Sequence, residues 1–204
     1  MFFFANSELL ALAVAASFAA GLNVYATTAT LGLLAHAHAF QLPPALHLLE
    51  SWPVIVASVL LFALEFVADK VPLFDLFWNA LSTFVKVPIA ALLSYGATQH
   101  LSPGLQATAA ALGGLIALLV HGSKLAARTA VTPSPEPVSN ITLSFAEDIA
   151  AISITWFATR HPIAAGAIAA ICLLVCLLAL RWIIRALRRM FRHAQSVFAK
   201  PSGV

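Results

Sequence analysis

PIAAGAIAAICLLVCLLAL, running from Pro162 to Leu180, contains no charged side chain. Lipid offers no partners to backbone N–H and C=O groups, so a chain that crosses it must satisfy them internally, as a helix or a closed barrel. An unbroken apolar run close to the roughly 20 residues that span a bilayer selects the helix. Cys172 and Cys176 lie one helical turn apart on this segment. Two cysteines so spaced cannot build a disulfide framework and read as buried, inert thiols.

Two more stretches repeat the pattern, Leu9 to Ala35 and Leu101 to Val120, both free of charge. Three weaker spans complete a set of six. Trp52 to Ala68 carries Glu65, Leu73 to Thr98 carries Asp75 and Lys86, and Ser144 to Thr159 opens on Glu147 and Asp148. Composition agrees, with 61% apolar and 9% charged residues against about 25% charged in a soluble domain. The expected fold is an all-α integral membrane protein of about six helices, with one transmembrane domain over residues 1–193. Prolines and polar clusters mark the turns at Gln41–Pro44, Asp69–Pro72, Leu101–Gly104 and Arg160–Pro162. Thr132–Asn140 reads as the one substantial connecting loop.

Beyond Leu180 the chain turns basic, with Arg181, Arg185, Arg188, Arg189, Arg192 and Lys200 among Trp182, Ile183, Ile184, Leu187, Met190 and Phe191. Residues 181–204 therefore read as an amphipathic tail lying on anionic headgroups. With an inside N-terminus, the inner side also receives Lys70, Lys124 and Arg128, and the outer side only Arg160. That asymmetry places both termini in the cytoplasm. Met1–Glu8 lacks the basic start of a secretory signal. No motif or folded basic surface points to nucleic acid, and no cofactor is expected. Assembly with further copies of the chain stays open.

Set against itself at an offset of 90, the chain aligns Ala68-Asp69-Lys70-Val71-Pro72 with Ala158-Thr159-Arg160-His161-Pro162, Pro43 with Pro133, and Gly32 with Gly122. Two three-span halves, residues 7–98 and 103–190, would then enter from opposite sides as inverted repeats.

Ser7 to Ala35 as one helix would stretch about 43 Å, against a hydrocarbon thickness of about 30 Å. A tilt or a break is implied, and Gly21, Asn23 and Tyr25 are its candidates. A break would free backbone groups at mid-membrane, as in the discontinuous helices of transporters. A small-residue helix contact with Asn23 bonded across it is the alternative.

His121, Lys124 and Arg128 follow helical spacing on the fourth span, at a depth where Glu147 and Asp148 return on the fifth. Glu65, Asp69, Lys70 and Asp75 reach the same inner side, while Lys86 falls near mid-membrane. Ionisable groups inside spans are costly and usually face the bundle interior or a water-filled cavity, so this cluster is the candidate site. The structural alternative reads Ser144-x-x-Glu147 as a capping box and Lys124 and Arg128 as snorkelling anchors. His36, His38, His47, His100 and His161 fall on the outer side as loop or interface residues; none has the spacing of a metal site.

Gly21-Leu22-Asn23-Val24-Tyr25-Ala26-Thr27, Glu65-Phe66-Val67-Ala68-Asp69-Lys70-Val71-Pro72 with Asp75 and Trp78, His121 to Arg128, and Ser134-Pro135-Glu136-Pro137-Val138-Ser139-Asn140 with Glu147-Asp148 together resemble the bacterial membrane family catalogued as domain of unknown function 4126. The resemblance covers nearly all of residues 7–180 and implies a multi-pass protein of the bacterial inner membrane. It implies no activity. The expected function is a transporter or channel for a small ion or solute; a structural or assembly protein is the second reading, and a membrane-embedded enzyme, for which no catalytic motif is present, the third.

Overall fold

A computed structural model describes residues 6–70, 72–131 and 137–198, with the side chains of 72–76, 128–131, 137–140, 187 and 190–198 excepted. Six helices follow one another: α1 (Asn6–His36), α2 (Trp52–Ala68), α3 (Pro72–Ala97), α4 (Pro103–Val131), α5 (Pro137–Arg160) and α6 (Pro162–Phe198). A short 3-10 segment, Pro44–Glu50, precedes α2 at an angle of 66°. Five helices are long and apolar enough to cross a membrane, and the 3-10 segment with α2 makes a sixth, bent, candidate. Prolines open α3, α4, α5 and α6 and stand second in α2. There the missing N–H is one that no helix would have used.

α1 is the axis of the bundle, packed against all five other helices. Its sequence explains the position, because alanines, glycines, serines and threonines let neighbouring backbones approach. At Gly21 a Cβ would lie 2.8 Å from Val120 Cβ and 3.0 Å from Ala117 Cα on α4. At Gly166 of α6 it would lie 2.9 Å from Ala11 Cβ. The large apolar side chains point the other way: Leu60, Phe77, Phe84, Leu92, Leu105, Ile171 and Val175 are exposed on the outer faces. In water such a surface would aggregate; in lipid it is the solvated one.

The pairs α1–α6 and α3–α4, which a two-fold axis exchanging the halves would interchange, are both closely packed. α1–α5 is close as well, whereas its counterpart α2–α4 has at most marginal contact among the described residues.

Two local expectations change. α5 begins at Pro137, so Ser144 and Glu147 lie two turns inside it and form no capping box. Pro137–Asn140 consequently belongs to a helix and not to a loop; the remainder of that expected connection, residues 132–136, lies outside the described residues. α6 runs without interruption through Phe198, so residues 181–198 continue the helix of the last span.

Candidate functional site

α1 is not one helix. Asn23 adopts φ −147° and ψ 104°, an extended conformation between two helical halves. Its side-chain Oδ1 accepts from the Ala26 N–H at 2.9 Å, the bond of an N-cap to its third residue. Asparagine suits the position because its short carbonyl supplies the acceptor that the broken helix lost. Of the three break candidates, then, Asn23 is the break, Gly21 is the close approach to α4, and Tyr25 is a buried residue of the second half.

The Asn23 amide has only one orientation. A backbone N–H cannot bond to an NH2 group, so the contact with Ala26 places Nδ2 on the other side. There it donates to Asp148 Oδ1 at 2.9 Å. The N-terminal end of a helix carries partial positive charge, and Asp148 puts a carboxylate beside the cap of the second half-helix. The other side of the break is met by a cation: Lys86 Nζ lies 3.5 Å from the Leu22 carbonyl, at the partially negative end of the first half-helix.

Lys86 is fully buried and pairs with an equally buried Glu65 at 2.7 Å. Removing two such charges from water costs several kcal/mol each in effective terms, about what a tight, hydrogen-bonded pair recovers. His121 completes the group. Its Nε2 lies 3.0 Å from the Asn79 carbonyl, which can only accept, so Nε2 carries the hydrogen. Nδ1 then presents its lone pair to Lys86 Nζ at 3.4 Å, and the ring is neutral in this arrangement.

A second ionic group sits beside the first. Lys124 bridges Glu147 at 3.0 Å and Asp69 at 3.3 Å. Ser144 donates to the same Asp69 Oδ2 at 3.1 Å, which is the contact that replaces the expected capping role. The C-cap of α2, helix α4 and helix α5 thus each send a charge to one point. One expected member stands apart: Lys70 is half-buried, donates to the Phe66 carbonyl at 2.7 Å and lies over the Phe66 ring, and its surroundings are aromatic. The side chains of Asp75 and Arg128 lie outside the described residues.

Asn79 and Ser144 were not read as site members from the sequence. Asn79 stands seven residues before Lys86, two turns earlier on the same face, and that periodicity was the available signal. Smaller polar contacts continue along α1: Ser17 with Ser94 at 2.7 Å, and Thr28 with Ser58 at 3.0 Å. Among the described residues no three His, Cys, Asp or Glu side chains converge to hold a metal ion. The buried group offers proton acceptors, fixed donors and two half-helix ends, the elements of an intramembrane ion or proton site.

Neither the curated proteins nor the solved structures contain a match to this chain. Among protein families, residues 10–182 match the one described as Domain of unknown function (DUF4126). That span takes in α2 to α5 whole, the greater part of α1 and of α6, the break and both ionic groups, and the chain belongs to this family.

Proposed function

We propose that this protein is a membrane transporter or channel for a small ion or solute, with its pathway passing the break in α1. The observation that carries the reading is the pair of half-helix ends at Asn23, one beside the Asp148 carboxylate and the other beside the Lys86 ammonium. A continuous helix satisfies its own backbone, whereas this break relies on Asn23 and Lys86 to meet its freed groups, and interrupted helices with charged groups at their half-helix ends form the binding sites of transporters. Alternating access between residues 7–98 and 103–190 is the motion we favour, with Glu147 and Asp148 exchanging a proton or cation and Lys124 changing carboxylate partners. We place the protein in the inner membrane with both termini cytoplasmic, on the Lys and Arg distribution, and its basic C-terminal stretch against anionic lipid.

One observation favours a second reading, a structural or assembly protein. Both lysines of the cluster already hold carboxylate partners, Lys86 with Glu65 and Lys124 with Asp69 and Glu147, and such pairs can serve as internal staples.

The two separate on ligand-dependent stability. The melting temperature of detergent-purified wild type and Glu147→Gln is measured across monovalent and divalent cations, phosphate and organic anions. A ligand that binds only the folded state raises stability by about RT ln(1 + [L]/Kd). A saturable shift in wild type that disappears in the variant, followed by flux of that ligand in liposomes, supports transport. A flat panel with a uniformly lower melting point in the variant supports the structural reading.

A further inference from the structure

We infer that Asp148 is a proton-binding site at the break in α1, with Asn23 as the positioning residue that holds it. The inference rests on the transporter reading for its role but not for its chemistry. Burying a carboxylate is costly unless it is paired with a cation or made neutral. Glu65 has Lys86 and Glu147 has Lys124. Asp148, only 4% exposed, makes no ion pair with a described residue; its one hydrogen bond is from a neutral amide. Its second oxygen, Oδ2, is buried and accepts nothing from the described protein.

A metal cation is disfavoured by the fixed direction of the amide. Because Ala26 N–H holds Asn23 Oδ1, Asn23 turns donor hydrogens, not an acceptor, toward Asp148. A donor beside the carboxylate repels a cation and is compatible with a carboxylic acid, whose carbonyl still accepts. The proton would form an O–H bond at Oδ2, arriving from water on one side and returning to water on the other, while Oδ1 keeps its bond to Asn23. The charged groups around it are Lys124 from α4, Glu65 from α2 and Asp69 at the C-cap of α2, and Glu147 is its neighbour in sequence on α5. Lys86 from α3 stands at the opposite end of the break, and Cys176 of α6 near Glu147. A change of charge on Asp148 therefore acts on the cap of one half-helix and, through Lys124, on the second ionic group.

Infrared spectroscopy of the purified protein, titrated over pH in detergent, tests this directly through the carbonyl stretch of a protonated carboxyl group. Expected is a band that titrates in wild type and in Glu147→Gln, is absent in Asp148→Asn, and shifts in wild type grown with carboxyl-13C aspartate. In Asn23→Ala the band should move to higher frequency, since the carbonyl loses its donor. A wild type without such a band, or a band unmoved by the aspartate label, overturns the site; where Asp148→Asn fails to fold, the upward shift in Asn23→Ala assigns the labelled band to Asp148 and not to Asp69 or Asp75, and a labelled band that Asn23→Ala leaves in place overturns the site. Titration of Asp148 in a protein that moves no solute would retain the site and remove the transporter reading. Solute flux with no titrating aspartate would do the reverse.

Discussion

Asn23 donates to Asp148 at 2.9 Å across 125 positions of sequence, and the same amide caps the second half of α1. One side chain thereby joins the central helix to α5 at the point where the central helix is interrupted. The loss of an N-cap costs about 0.5–2 kcal/mol, and a buried carboxylate left without its donor adds a penalty of about 1–3 kcal/mol.

Asn23→Ala should therefore destabilise the protein by about 1.5–5 kcal/mol in reversible detergent unfolding, the two losses together. Asn23→Ser keeps a capping oxygen and surrenders the bond to Asp148, so it should fall between the two. Equal losses for both variants would mean that the cap contributes nothing.

Glu65 and Lys86 are both fully buried, and removing one charge strands the other. Glu65→Gln or Lys86→Met alone should cost about 3–5 kcal/mol, while Glu65→Leu combined with Lys86→Met should cost far less than the sum. A double-mutant cycle in the same unfolding assay measures the coupling. Additive losses would show that the two residues act on different partners.

Gly21 and Gly122 should respond in opposite directions. A side chain at Gly21 meets Val120 and the Ala117 backbone at 2.8–3.0 Å, whereas Gly122 has nothing within 4 Å. Gly21→Leu should lose about 1–3 kcal/mol by overpacking α1 on α4. Gly122→Ala, in an open position inside a helix, should gain about 0.5–1 kcal/mol. Thermal melts of the two variants check both signs.

Ser144→Ala should cost about 1.5–3 kcal/mol, the range for a hydrogen bond to a charged group, because it removes a donor from Asp69. Amide exchange over residues 137–143 should stay as in wild type. Faster exchange confined to that segment would instead point to a capping role for Ser144.

How much of this was legible beforehand differs from element to element. The residues of α2 read from Trp52 to Ala68 coincide with the helix, since a Pro near its start and a polar pair after its end bound it. The expected loop's start at Thr132 agrees with α4 ending at Val131, whereas the start of α5 lies earlier than composition indicates: polar residues such as Ser139 and Asn140 read as a loop on composition alone, yet they lie within α5. Lys86 and Glu65 were visible as charges inside spans that required partners, but Asn79 was not, because an uncharged polar residue carries little cost by itself.

The class of the protein was determined by sequence alone, because the bilayer imposes its requirement on each segment separately: a span must satisfy its own backbone and be apolar for its own length. That length also signalled strain in the first span, at 31 residues in the structure. Only the tertiary structure decided that the break falls at Asn23, that Lys86 takes Glu65 while Lys124 takes Asp69 and Glu147, and that Asp148 is left with a neutral partner. Those outcomes depend on the relative depth and rotation of helices far apart in the chain. Such geometry is set by which small residues let α1 approach its neighbours, and it has no local signature in the order of the amino acids.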